Sequence, residues 1–453
     1  MGLQVNNEKS TIYHNDINQD DVAWLSDLFG INAQSISCGI KYLGFQIKAF
    51  GYSKIDWQWI LDRFYRRISA WEYKSLSLAG RVILAQSVLN QLAVYWAHLY
   101  FLLASIIQTM NNLTANFIWG GQAGKRKYHL SKLSNISLPK SMGGWGLLDL
   151  QTFGKAHLCK SLWRGIYGEG PWSFTIQKKY LGRKDLSFWF REGRIGASYG
   201  SSIWLSLRKI ESYFLKNLIW CFQTGNKILI GKDIYLSGAE EINVPESLLN
   251  FLHRKDFLFW DSLISGWQGS IPHWKESGSL EMLIDIAHQW EHIRTCLINC
   301  SIFHSSESDC LIWKNLKGMN LVRVKDVYQN LIGLKDAPHN PIFPRIFCKS
   351  GCPSKMIYFS WLTFHNKNLS WENLKKWGWQ GPGFCPICRS VEENSCHLFL
   401  NCQRSQQLWQ SVEMCYGIQH NFHASIIEVF LWWSEKKDLW RPLIIITLWT
   451  IWK

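Results

Sequence analysis

Proline is scarce in this chain, 11 in 453 residues, and acidic residues are outnumbered, 34 Asp+Glu against 49 Lys+Arg. The charged fraction of 18% lies below the ~25% of an average globular protein, while 47% of residues are apolar. That balance excludes a disordered or collagenous chain. Apolar runs of the ~20 residues needed to span a bilayer are also missing. The longest of interest, Leu92–Ile107, contains His98 and reads as a buried helix, and Leu443–Trp452 is shorter still. No membrane association is expected. Met1–Asn7 has neither a basic n-region nor an apolar h-region, and position 6 is not Ser or Thr. Secretion and myristoylation are therefore unsupported, and an intracellular setting, nuclear or cytoplasmic, is expected. The phosphate-loop, dinucleotide, His-Glu-x-x-His and nucleophile-elbow motifs are absent, as is any fixed-period repeat.

Aromatics are abundant: 15% of the chain, with 27 Trp. They are spread through apolar-faced segments rather than confined to one tract. The net charge of +15 points to a polyanionic partner, nucleic acid before membrane. In a reducing compartment the 13 cysteines are expected as thiols or metal ligands rather than disulfides.

Along the chain, Asn18-Gln19-Asp20-Asp21 before Val22-Ala23-Trp24-Leu25 predicts a capped helix ending at Gly30. The Asp20-Asp21 pair belongs to that polar helix start. Lys41–Ile47 alternates as a strand. Residues 53–120 read as three helices: the first with Trp57, Ile60, Leu61, Phe64 and Ile68 on one stripe, the second from about Ser77, the third from about Ser105 to Trp119. Gly143–Leu147 is a turn and Phe153–Tyr167 a further helix. Thr224-Gly225-Asn226-Lys227 between apolar runs predicts a hairpin, and Leu311–Trp313 with Val322–Val324 a second one. Pro338–Pro341 looks like a linker.

The sharpest signal is Cys385-Pro386-Ile387-Cys388, then eight residues, then His397 and Cys402. A Cys-x-x-Cys turn offers two thiolates, and a His and a Cys about a turn and a half apart on a helix start can complete a tetrahedral set for structural Zn2+. With four protein ligands no coordination position is left for a catalytic water. Leu398, Phe399, Leu408 and Trp409 offer an apolar cover. Cys396 competes with His397, which is the preferred ligand. Cys348 with Cys352, and Cys296 with Cys300 and His304, lack a full ligand set or lie among apolar residues, and read as ordinary thiols and core.

Several blocks in this order resemble the C-terminal half of plant LINE-type (non-LTR) retroelement reverse transcriptases, including their zinc-binding domain. Gly2–Ser10 resembles the palm segment after the polymerase active site, with Lys9 at a palm lysine, and Lys41-Tyr42-Leu43-Gly44 the strand near the primer terminus. Trp71 with Leu76–Arg81 resembles the thumb signature, and Phe117–Gly121 its close. Leu138-Pro139-Lys140 with Gly143–Leu147 is similar to a following block, and Pro353-Ser354-Lys355 with Phe359 and Trp361 precedes the knuckle as in the family. Leu448–Lys453 resembles the stretch before a ribonuclease H domain.

The resemblance implies a mainly helical α+β fold. Its expected parts are a residual palm segment at 1–49, a helical thumb-like domain at 50–167, a mixed connecting region at 168–340, a zinc-binding domain at 341–415 and a Trp-rich tail at 416–453. Of the family's features, the polymerase carboxylates and the ribonuclease H domain have no counterpart in these residues, so no catalytic or cofactor-binding residue is assigned. The expected function is a truncated, non-catalytic reverse transcriptase fragment that binds zinc and nucleic acid. The alternatives are a part of an active RNA-directed DNA polymerase when supplied with palm and fingers, and a zinc module for protein–protein contact. Expected metal ligands are Cys385, Cys388, His397 and Cys402; expected phosphate contacts are Arg63, Arg66, Arg67, Lys74, Arg81, Lys125, Arg126 and Lys127.

Overall fold

The computed structural model describes the chain apart from residues 1–4, 16, 43–44, 49–51, 73–75, 98–101, 121–127, 169, 183–199, 222, 234–235, 238–239, 242, 270, 299–308, 315–321, 334–341, 419–424 and 438. The fold is α+β and mainly helical, and among the described residues the strands pair in twos. Two compact units are formed: Met1–Gly154 with Leu331–Lys453, and Lys155–Asn330.

In the first unit, strands Thr11–His14 and Asn32–Ser35 pair in parallel across the helix Gln19–Phe29. Asn18 caps that helix by accepting from the Asp21 amide, and Gly30 closes it in the left-handed region at φ 59°. Asp20 and Asp21 occupy its first turn, where carboxylates complement the helix dipole. The single strand expected over Lys41–Ile47 is instead an antiparallel pair, Ile40–Tyr42 with Phe45–Ile47; Leu43 and Gly44 lie outside the described residues.

The helix Gln58–Glu72 and the turn before it bury Trp57, Ile60, Leu61, Phe64 and Ile68, the stripe read from the sequence. The next helix starts at Leu78, capped by the Ser77 hydroxyl, and continues through a wider π segment Ala85–Leu89 to Ala97. The helix Ala104–Ile118 packs on both. The apolar run 92–107 is therefore not one helix: it is divided between the helices ending at Ala97 and starting at Ala104, with His98 outside the described residues. Among the described residues no helix is long and apolar enough to cross a membrane.

Trp145, 2% exposed, joins the N-terminal helices to the C-terminal part of this unit. Its ring meets Trp119 at 5.6 Å, Tyr358 at 4.7 Å and, edge-on, Trp361 at 5.1 Å. The Trp361 indole N–H donates to the Gly143 carbonyl at 2.6 Å. Gly143 has φ 88° and a side chain there would strike Phe343, so both conformation and space require glycine. The helices Ser354–Phe364, Ile426–Ser434 and Arg441–Trp452 complete the core, with Phe359 touching Phe399, Trp449 and Trp452. The Trp-rich end is thus part of this core, with Trp433 buried in it and Trp432, Trp440, Trp449 and Trp452 packed against it.

In the second unit the strand Leu218–Cys221 pairs antiparallel with Cys310–Trp313. Both expected hairpins are corrected by this pairing. The amides of Gln223, Thr224 and Gly225 donate to Asp309 Oδ1 at 2.8, 3.0 and 2.9 Å, and that of Lys227 to Oδ2 at 2.9 Å. The loop's donors are consumed by a buried carboxylate, so no cross-strand ladder forms across it. Val324 opens a helix, Val324–Gly333, rather than a strand. The helices Glu246–Arg254 and Ile284–Ile298 pack together beside the hairpin Ile264–Gln268 and Ile271–Trp274. Trp260, Trp274 and Trp290 form an edge-to-face chain there, at 6.0 and 6.4 Å.

Candidate metal centre

The site begins with a tight turn. Gly383 passes so close to the Trp371 indole that a side chain would collide with it. The chain then forms a short bridge, Phe384 opposite Glu392, closed by Cys385 N–H to the Val391 carbonyl at 2.8 Å and Glu393 N–H to Gly383 at 2.7 Å. Between them Arg389 adopts φ 57° and its amide donates to the Cys385 carbonyl at 2.9 Å. This backbone curls its amides toward the two sulfurs. Ile387 and Cys388 hydrogen-bond Cys385 through their backbones. The Ser390 hydroxyl donates to Cys388 Sγ at 3.2 Å. That hydroxyl, then the Ser390 amide, lowers the Cys388 thiol to about 5, whereas burial raises Cys385. A thiolate-ready Cys388 suits metal ligation.

The second half of the site is a π turn. Asn394 Oδ1 accepts from the His397 amide at 2.7 Å, and His397–Asn401 closes with Cys402 N–H to the His397 carbonyl at 2.7 Å. In a regular α-helix residues five apart point about 140° away from each other. The wider turn brings Cys402 under His397 instead, which corrects the expectation of a plain helix start. Behind it Leu398, Phe399 and Leu400 are buried. The Trp409 indole donates to the Phe399 carbonyl at 2.8 Å, and the Ser405 hydroxyl to Leu398 at 2.7 Å.

Donor atoms of Cys385, Cys388, His397 and Cys402 all lie within 4.8 Å of one another, and Cys388 Sγ is 3.3 Å from His397 Nε2. Tetrahedral zinc with Zn–S near 2.3 Å and Zn–N near 2.0 Å needs donor separations of roughly 3.5–3.8 Å. Three sulfurs, one imidazole and this spacing fit such an ion. Cys396, half-buried, is not among the converging donors.

Sequence reasoning missed the polar framework around the site. The Asn373 amide donates to the carbonyls of Asn366 and Asn368 at 3.0 and 2.8 Å, and the Ser395 hydroxyl to Asn366 Oδ1 at 2.6 Å. These bonds tie the helix Trp371–Lys376 to the segment carrying His397. Clustered Asn and Ser in a short stretch was the available signal.

Arg63, Arg66 and Arg67 are exposed on the helix Gln58–Glu72, opposite its buried stripe, with Arg63 over the Trp59 ring at 5.1 Å. Arg81 is half-buried and its guanidinium lies against Gly120, where any side chain would collide with it. Lys74, Lys125, Arg126 and Lys127 lie outside the described residues, as do Cys300, His304 and the linker Pro338–Pro341. Cys348 is exposed and Cys352 half-buried, and desolvation raises both thiols.

Residues 323–409 match the protein family described as zinc-binding in reverse transcriptase. The chain is also similar to a putative ribonuclease H protein of Arabidopsis thaliana, 24% identical over 415 residues. That alignment covers 87% of this chain and 62% of the relative, so the chain spans less than two thirds of the length of the curated relative it matches. The converging donors fall at the C-terminal end of the family match.

Proposed function

We propose that this chain is the zinc-binding and nucleic-acid-binding portion of a LINE-type retroelement reverse transcriptase of plant type, and that it is non-catalytic as it stands. The observation that carries the reading is the convergence of Cys385, Cys388, His397 and Cys402 within a segment matching a reverse transcriptase zinc-binding family. Zinc, when bound, supplies a structural cross-link between the knuckle and the π turn. Cys385 and Cys388 would hold it from one side, His397 and Cys402 from the other. The net charge of +15 and the exposed Arg63, Arg66 and Arg67 support a phosphate-directed surface. Lys74, Arg81 and Lys125–Lys127 belong to the same proposal from the sequence. The only adjacent aspartates in the N-terminal segment, Asp20 and Asp21, sit in the first turn of a helix rather than on a strand hairpin, which is why no polymerase chemistry is assigned.

Filter binding of single-stranded RNA against salt tests the reading. An association constant that falls steeply with salt is expected, and salt-independent or absent binding overturns it in favour of a protein-contact module. Primer extension with divalent metal is expected to give no product; extension by the chain alone would establish a competent polymerase instead.

A further inference from the structure

We infer that the surface running from Tyr128 through Trp379 to Phe384 is a stacking platform for single-stranded nucleic acid. The inference rests on the nucleic-acid reading above and gives that binding a place. Tyr128, Trp379 and Phe384 are 54%, 56% and 61% exposed, whereas Phe399 and Trp409 of the same unit are 0% exposed.

A chain of contacts links the segments that carry them. The Tyr128 ring stacks on Trp377 at 5.0 Å and 8°, and its hydroxyl donates to the Trp377 carbonyl at 3.3 Å. Trp379 N–H bonds the Leu374 carbonyl at 3.2 Å, at the end of the same helix. Lys375 Nζ lies 3.3 Å from Glu392, and Glu392 is the bridge partner of Phe384. Lys375, Lys376 and Arg389, on the same stretch of chain, are exposed. Lys375 pairs with Glu392 and Lys376 with Glu372, but both pairs are open to solvent, with lysine side chains 67% and 60% exposed. Exposed pairs of this kind are weak, and a phosphate can take the carboxylate's place. In the sequence Tyr128 directly follows Lys125-Arg126-Lys127. Aromatic faces beside cations fit unpaired bases on a phosphate backbone; a duplex has its base faces already covered.

The test is fluorescence anisotropy with the full zinc-loaded chain, using a labelled oligouridylate of about 12 nucleotides, within the span such surfaces cover, and a duplex of equal length. The single strand is expected to bind more tightly than the duplex. Trp379→Ala with Phe384→Ala is expected to weaken single-strand binding about tenfold or more, leaving zinc content and the salt slope unchanged, and Trp379→Phe with Phe384→Tyr to restore it. Lys375→Gln with Arg389→Gln is expected to reduce the salt slope by about 1.4. Wild-type binding that survives loss of both rings, or equal affinity for the duplex, overturns the platform and leaves the nucleic-acid reading standing. Absence of oligonucleotide binding by the wild type at low salt overturns both.

Discussion

Among the described residues, Asp309 is the side chain that accepts the most backbone amides. It is 4% exposed, and its carboxylate accepts four amide hydrogens from residues 223–227, at 2.8 to 3.0 Å. It also stands one residue before the strand that pairs with Leu218–Cys221. Hydrogen bonds to a charged acceptor contribute about 1.5–3 kcal/mol each, and buried donors left unmade cost about 1–3 kcal/mol. The four share one carboxylate and do not add. Asp309→Ala is therefore expected to destabilise the second unit by about 4 kcal/mol, in the range reserved for buried network loss. Asp309→Asn keeps the shape and one acceptor, but its amide faces a donor; about 2 kcal/mol is expected, since neutral acceptors are roughly half as strong. Hydrogen exchange read on a peptide covering residues 223–229 measures the effect locally, without requiring the two units to unfold together. Protection there should drop by about thirtyfold in the Asn variant, 2 kcal/mol being a factor of about 30. Unchanged exchange, with an unfolding free energy from urea within about 0.5 kcal/mol of wild type, would refute the reasoning.

Other perturbations probe the first unit. Ser390→Ala removes the hydroxyl donated to Cys388 and is expected to weaken zinc about tenfold in chelator competition, with Ser390→Thr near wild type. Trp409→Ala empties a fully buried site and removes the indole donor to the Phe399 carbonyl; about 3–5 kcal/mol of destabilisation is expected in urea, and less for Trp409→Phe. Burial, with Lys367 nearby, lowers the His365 imidazole to about 4. The unfolded chain then takes up a proton near pH 6.5 that the folded chain refuses until about pH 4, so stability falls as pH drops across that window. After discounting for partial exposure the loss is about 2 kcal/mol, and His365→Phe should flatten that part of the urea-midpoint pH profile relative to wild type.

Local features were legible from the sequence because their causes are local. The stripe from Trp57 to Ile68 follows from helical spacing, and Asn18, Gly30 and Ser77 mark helix ends through their own side chains or backbone freedom. The four donors were legible because metal chemistry restricts both residue type and spacing. What stayed hidden depends on distant partners. Thr224–Lys227 has hairpin chemistry, but its amides go to a carboxylate more than 80 residues on. The break in the apolar run 92–107 has no Pro or Gly to announce it. The π turn at His397–Asn401 is invisible to a 3.6-residue period, though it alone aligns His397 with Cys402. Trp145 looks like a turn residue until Tyr358 and Trp361, over 200 positions away, close on it.

Metal analysis of the purified chain, paired with Cys385→Ser and Cys388→Ser together, tests the central claim most directly. About one zinc per chain is expected for the wild type, as for a closed four-ligand site, and close to none for the double variant, with faster proteolysis around residues 380–402. A metal-free wild type that folds and withstands chelators unchanged would contradict it.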